Sequence, residues 1–282
     1  MKILSFGEIL WDIYPENKYI GGAPFNFAVH AVKSGASAFL LSAVGSDPLG
    51  DEAKNELTRF GVNATLLQTR TNKQTGKCLV TLDENALPNY ELLQDVAYDY
   101  ITFPHSLSSQ RFDGLAFGTL ALRSPYNLDT LRTVINANVC MINYCDLNLR
   151  TPFYTKETVR FCLQNANILK LSELELAYVV ETFSLGNVKM ETAVKSIVKK
   201  FENIKTVLIT LGENGSFAYE KTTDTFTYCQ AVKVKTVSTV GAGDSFGAAF
   251  LTAYLQGENI KGALQAGASR SAIVVSQHGA IF

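Results

Sequence analysis

Apolar and polar positions along the chain fall into strand-length runs separated by longer stretches of helical period. Lys2–Phe6 reads as a buried strand stopped by Gly7, and Ala38–Val44, Gly114–Phe117, Val139–Tyr144, Ile168–Leu171 and Thr206–Thr210 have the same form. Phe25–Ser34 and Asp51–Phe60 carry apolar residues at three- and four-residue spacing and are closed by Gly35 and Gly61, as helices often are. Leu128–Asn136, Lys156–Gln164, Glu173–Phe183 and Glu191–Phe201 repeat the helical pattern, and Ala242–Leu255 and Ile260–Ser276 read as two consecutive helices. Short apolar strands alternating with helices build β-α-β units. The expectation is an α/β fold with a mostly parallel sheet covered on both faces.

Two stretches break this rhythm. Leu10–Ile20 is extended and interrupted by Pro15, and Thr71–Phe103 holds strand-like pieces (Lys77–Asp83, Asn89–Leu93, Tyr98–Phe103) with no helix between them. They predict an antiparallel excursion from the main sheet, which is either a lid over a cleft or an ordinary edge hairpin.

Composition narrows the function classes. The 282 residues carry 25 basic and 26 acidic side chains, a net charge of −1, which argues against a polybasic nucleic-acid surface. No apolar run approaches the roughly 20 residues of a membrane span. Glu8 and Asp12 fall where a signal peptide would be apolar, so a soluble cytoplasmic protein is expected. Five scattered cysteines without a C-x-x-C suit reduced thiols better than a disulfide framework or a zinc site. The three histidines are equally dispersed, with no metal-ligand spacing.

The sharpest chemical feature is Thr239-Val-Gly-Ala-Gly-Asp-Ser-Phe246, which runs straight into an apolar helix. Gly241 and Gly243 let successive backbone N–H groups converge at a helix N-terminus, a place that favours an anion such as a phosphoryl group in transfer. Asp244 then lies in the first turn. It serves there either as a base for an attacking alcohol or simply as an acidic residue that favours the helix start. The segment is not a P-loop, since Gly76-Lys77 lacks both the preceding glycine and the following hydroxyl residue.

Two further constellations offer ligands. Gly21-Gly22-Ala-Pro-Phe-Asn26 begins a helix with Asp12 upstream, and such an array can bind the vicinal hydroxyls of a sugar or merely make a turn. Asp146-Leu-Asn-Leu-Arg150 follows a strand, where α/β proteins bind ligands, and Arg150 can meet phosphate or lie solvated.

Taken in this order, these segments resemble the ribokinase-like, PfkB-type sugar kinases over essentially the whole chain. Gly21-Gly22-x-x-x-Asn26 is similar to the family's first signature and Thr239–Phe246 to its second. Asp146-x-Asn148-x-Arg150, Lys170-Leu-Ser-Glu-Leu-Glu175 and Thr210-Leu-Gly-Glu-Asn-Gly215 fall between them as the family's segments do. The resemblance implies a single domain over residues 1–282, a three-layer α/β/α sandwich with a small β lid formed by about residues 10–21 and 71–103. It implies ATP as phosphoryl donor with Mg²⁺, a small sugar as acceptor, and a monomer or homodimer. Asp244 is then the base, and Gly241, Ala242 and Gly243 form the anion hole. Asp12, Gly21, Gly22, Asn26 and Arg150 take the sugar. Lys170, Thr210, Gly212 and Gly215 border the nucleotide, and Glu175 acts on Mg²⁺ through water.

Within the family, Gly7-Glu8-Ile-Leu-Trp-Asp12 followed by Gly-Gly-Ala-Pro is most similar to fructokinases, where ribokinases carry Lys-Gly in place of Ala23-Pro24. Fructose to fructose 6-phosphate is the expected reaction. Aminoimidazole riboside is the nearest alternative acceptor, with ribose and 2-keto-3-deoxygluconate behind it, and a non-catalytic sugar sensor on the same scaffold is the rival of another class. Ser172 stands where many members carry asparagine. Ser238 replaces an aspartate that helps bind a monovalent cation, so K⁺ activation is expected to be weak or absent.

Overall fold

The structure is a computed structural model and describes residues 1–82, 88–186 and 189–282. In chain order it begins with β1 (Lys2–Phe6), β2 (Leu10–Ile13), β3 (Lys18–Gly21), α1 (Ala23–Lys33), β4 (Ser37–Gly45), α2 (Pro48–Arg59), β5 (Leu67–Arg70), β6 (Gly76–Leu82) and β7 (Pro88–Leu92). β8 (Phe112–Phe117), α3 (Pro125–Asn136), β9 (Cys140–Asp146), α4 (Lys156–Asn165), β10 (Ile168–Ser172), α5 (Glu173–Thr182) and α6 (Met190–Lys200) follow. The chain closes with β11 (Thr206–Thr210), β12 (Ser216–Glu220), β13 (Thr225–Cys229), α7 (Ala242–Leu255) and α8 (Ile260–Val275).

Alternate residues of β1 face opposite cores, and this sets the layers. Leu4 and Phe6 join an apolar cluster with Leu131 of α3, Val159 of α4, Val179 of α5 and Ile197 of α6. Ile3 joins a second cluster with Phe25 of α1, Leu57 of α2, Phe250 of α7 and Leu264 of α8. The nine-stranded sheet between them has the order β13-β12-β11-β10-β9-β8-β1-β4-β5. Its strands are parallel from β11 to β5, and β12 and β13 add an antiparallel hairpin at one edge. This is the ribokinase-like three-layer α/β/α sandwich expected from the sequence. Among the described residues no helix is long and apolar enough to cross a membrane.

Beside it stands a small four-stranded sheet of order β3-β2-β6-β7. It is mixed rather than purely antiparallel, because β2 and β6 run parallel while β3 and β7 add antiparallel edges. Leu10, Cys78 and Val80 pack its inner face onto Val96 and Tyr98. The expected strand at Lys77–Asp83 is described only as far as Leu82; Asp83 and residues 84–87 of the expected lid lie outside the described residues.

The expected strand at Tyr98–Phe103 is absent. A 3-10 turn over Ala97–Tyr100 and extended coil stand there instead, and side chains take the place of a partner strand. Asn127 Oδ1 accepts from Ile101 N, Asn127 Nδ2 donates to Tyr98 O, and Thr130 Oγ1 donates to Ile101 O. Arg123 pairs with Asp99 through two hydrogen bonds of 2.8 and 2.9 Å. The backbone is thus satisfied by the α3 side of the main body, not by the small sheet. Three strands lie outside the expected set: β5, short and at an edge, and the β12–β13 hairpin, where Phe217 and Tyr219 face Tyr228 and Phe226 in register.

Candidate active site

The chain leaves β1 and β8 in opposite directions across the sheet, so a crevice opens beyond their carboxyl ends. A cavity lies there, lined by Ser5 and Glu8 after β1, Phe117 and Gly118 after β8, Asp146 and Asn148 after β9, and Asp244 of α7. Two helix starts point into it. Gly22 precedes α1 with φ +105°, and a Cβ at that position would lie 2.6 Å from Glu8 O, so only glycine lets the chain turn there. Gly241 caps α7 in the left-handed region at φ +78°, with Ala280 packed so closely that a Cβ would meet its side chain at 2.6 Å.

These two starts meet through their side chains. Asn26 Nδ2 donates to Asp244 Oδ2 at 2.8 Å. Burial pushes the Asp244 carboxyl up to about 6, with Asp146 acting the same way and the Asn26 hydrogen bond, Lys170 and Arg150 opposing it. Lys170 reaches across from β10 to Asp146 Oδ2 at 2.7 Å. Its ammonium lies 3.2 Å from where a Cβ on Gly243 would be. Burial disfavours that ammonium, yet the carboxylates of Asp146, Glu175 and Asp244 outweigh it and hold Lys170 above its ordinary value. A fixed cation thus sits against the first turn of α7.

Asp12 lies on β2 of the small sheet, with its Oδ2 against Gly21. Burial lifts its carboxyl to about 6, and the field of Arg150 and a hydrogen bond from Cys78 resist that. Arg150 itself is exposed, and its field reaches Glu8, Asp12, Asp146 and Asp244. The structure therefore brings Asp12, Gly21, Gly22, Asn26, Arg150, Lys170, Gly243 and Asp244 to one crevice. Lys170 lies beside Asp146 and Gly243, two residues before the strand end that pairs with the segment of Thr210, Gly212 and Gly215. Those three lie at the end of β11, where Thr210 is in register with Ser172.

Glu175 is engaged on both oxygens. Oε2 accepts from Ser172 N and Oγ at 2.7 and 2.9 Å, closing a capping box at the start of α5, and Oε1 accepts from Leu149 N at 2.7 Å. It ties the segment carrying Asp146 and Arg150 to the α5 terminus. Serine at 172 supplies the capping hydroxyl that this arrangement uses. Among the described residues no group of three or more His, Cys, Asp and Glu side chains is placed to hold a metal ion by itself. Asp146 Oδ1 is nevertheless buried without a hydrogen-bond partner, which suits a divalent cation that keeps most of its water.

Three residues of the site carry weaker sequence signals. Glu8 is 4% exposed, accepts from Ala23 N through Oε1 at 3.2 Å, and has its carboxyl pushed up to about 7 chiefly by burial. Its signal is an acid directly after the first buried strand. His30, four residues beyond Asn26 on α1, donates from Nε2 to Ala280 O at 2.8 Å and so steadies the segment packed on Gly241. Tyr144 lies under Phe27, and its buried hydroxyl has no partner. Nothing local in the sequence marks the last two.

Beyond the carboxyl ends of the parallel strands, the Asp146 and Asp244 carboxylates, a glycine-rich helix start and the Lys170 ammonium stand together, an arrangement suited to phosphoryl transfer. The profile of the pfkB family carbohydrate kinases matches residues 15–282, and the chain belongs to that family. It is 27% identical to a 5-dehydro-2-deoxygluconokinase of Listeria innocua, over 99% of this chain and 87% of that protein. It is also 27% identical to a probable fructokinase-5 of Arabidopsis thaliana, over 88% and 81%. A fructokinase with bound ATP from Xylella fastidiosa superposes with a TM-score of 0.89 at 20% identity, covering 99% of this chain and 93% of that one, which shows the shared fold.

Proposed function

We propose that this protein is an ATP-dependent sugar kinase that converts fructose to fructose 6-phosphate, with Asp244 as general base. The observation that carries the reading is the Asn26–Asp244 hydrogen bond, which holds the half-buried Asp244 carboxylate at the start of α7 against α1 across the crevice. The sugar is held by Asp12, Gly21, Gly22, Asn26 and Arg150. Asp244 takes the proton of its hydroxyl as that oxygen attacks the γ-phosphorus of ATP in line, the bond to the β–γ bridging oxygen breaks, and ADP leaves. The N–H groups of Gly241, Ala242 and Gly243, with Lys170 behind them, hold the charge that develops on the transferring group.

Thr210, Gly212 and Gly215 border the nucleotide at the end of β11. Mg²⁺ brought with ATP would neutralise phosphate charge, and the residues that would hold it are Asp146, through its unpartnered Oδ1, and Glu175, through water. The small sheet acts as the lid over the sugar, with β2 and β3 supplying about residues 10–21 and β6 and β7 supplying Gly76–Leu82 and Pro88–Leu92 of the 71–103 stretch. Its closure excludes water from the γ-phosphate.

The test is the initial rate of ADP release from Mg·ATP with fructose, ribose, 2-keto-3-deoxygluconate, 5-dehydro-2-deoxygluconate and aminoimidazole riboside, beside Asp244→Asn. Fructose-dependent release that falls roughly 10²–10⁴-fold in the variant, with ATP binding kept, supports both the reaction and its base. Near-normal turnover by the variant removes Asp244 from that role. Sugar binding by the intact protein without ADP release supports a sensor instead.

We further propose that K⁺ activation is weak or absent. Ser238 stands in place of the aspartate many relatives carry, and its Oγ is engaged by Val240 N at 3.2 Å. Equal rates in matched Na⁺ and K⁺ buffers are expected, and several-fold stimulation by K⁺ overturns the proposal.

A further inference from the structure

Within the sugar-kinase reading, on which this inference rests, the open question is whether the acceptor is a neutral sugar or a sugar acid. The start of α1 decides it. Ala23 and Pro24 line the crevice wall, so this helix end is where a substrate carboxylate would find backbone donors and a favourable dipole. The first two positions of the helix offer no free donor. The Ala23 N–H is already given to Glu8 Oε1, and Pro24 has none. Glu8 therefore fills, from within the protein, the anion position that a sugar acid would need.

The cations of the crevice do not offset this. Lys170 is bound to Asp146 Oδ2 and turned toward Gly243, the phosphoryl side. Arg150 already acts on four carboxylates, those of Glu8, Asp12, Asp146 and Asp244. A further carboxylate brought into this enclosed site meets net repulsion, which is stronger there than in water. A neutral polyol meets only donors and acceptors it can satisfy.

We infer that Glu8 is a specificity-determining residue: by occupying the anion position at the start of α1, it makes the acceptor pocket select an uncharged sugar and reject a carboxylate-bearing one. Glu8→Gln removes the charge while an amide oxygen can still accept from Ala23 N.

The experiment measures kcat/KM for fructose and for 5-dehydro-2-deoxygluconate at pH 8.5, where Glu8 is ionised, in the wild-type protein and in Glu8→Gln. The wild type is expected to favour fructose by at least about tenfold, and the variant to shift the ratio toward the acid by roughly tenfold or more. A merely structural role for Glu8 lowers both values together and leaves the ratio where it was; that result overturns the inference. A wild-type protein that prefers the acid overturns it without any variant. Should the wild type phosphorylate neither acceptor nor any other sugar, the kinase reading itself fails, a result distinguishable from the other two.

Discussion

Asn26 and Asp244 are separated by 218 positions in the chain and joined by one hydrogen bond of 2.8 Å. That bond couples the start of α1 to the start of α7, the two helix ends that carry the family's paired glycine motifs. It also sets the acid–base properties of the site. Donation from Asn26 Nδ2 favours the ionised carboxylate, whereas burial and the nearby Asp146 favour the protonated one.

The sign of the pH dependence follows. A general base must be ionised to accept a proton, so kcat/KM is expected to fall as pH drops through about 6, the value to which burial lifts Asp244. Asn26→Ala removes the bond that favours the ionised form. The acid limb then moves to higher pH, and a larger share of activity is lost at pH 6.5 than at pH 8. Profiles of kcat/KM with fructose for both proteins check this, and an acid limb that stays in place or moves down contradicts the coupling.

Lys170 and Asp146 form a pair with only 7% and 16% of their side chains exposed. Lys170→Met leaves the Asp146 carboxylate buried without its partner. Removing one member of a buried pair costs about 3–5 kcal/mol. The loss should be largest near pH 8, where Asp146 must stay charged, and smaller near pH 5, where it can take a proton. Urea unfolding at the two pH values measures it. Asp146→Asn in the same background should restore part of the stability, because the stranded charge is then gone. A Lys170→Met protein as stable as the wild type at pH 8 would show that the pair contributes little to folding.

The parallel sheet and its helices were legible because their signals are local. Continuous apolar runs such as Thr206–Thr210, and glycines such as Gly35 and Gly61 just past helix ends, act within a few residues of themselves. The Tyr98–Phe103 segment misled because its β-like composition competes with tertiary partners. Asn127, Thr130 and Arg123 capture its backbone and Asp99 from positions the segment itself cannot reveal. The same division holds at the crevice. Asp244 announces itself beside two glycines at a helix start, whereas His30 acts through Ala280, 250 positions away, and Tyr144 gains its place from strand order. Glu175 is the intermediate case: its spacing from Ser172 marks a capping box, but the bond from Leu149 N that ties it to the Asp146 segment depends on two neighbouring parallel strands.

Glu8 offers a test that is independent of catalysis. Burial is the chief reason its carboxyl rises from 4.5 to about 7 in the folded protein. The native state therefore holds this proton more firmly than the unfolded chain does. By linkage the associated stability is fully present below pH 4.5 and is lost as pH rises through about 7. At 1.36 kcal/mol per pH unit, the gap corresponds to about 3 kcal/mol at pH 8. Glu8→Gln has no charge to bury, so its melting temperature relative to the wild type should be higher at pH 8.5 than at pH 5 by roughly 5 °C or more for a domain of this size. Differential scanning calorimetry on the two proteins without nucleotide or sugar measures that difference. A difference that is the same at both pH values would mean that Glu8 ionises as readily in the fold as in the unfolded chain, and a larger advantage at pH 5 would mean that the crevice stabilises its charge.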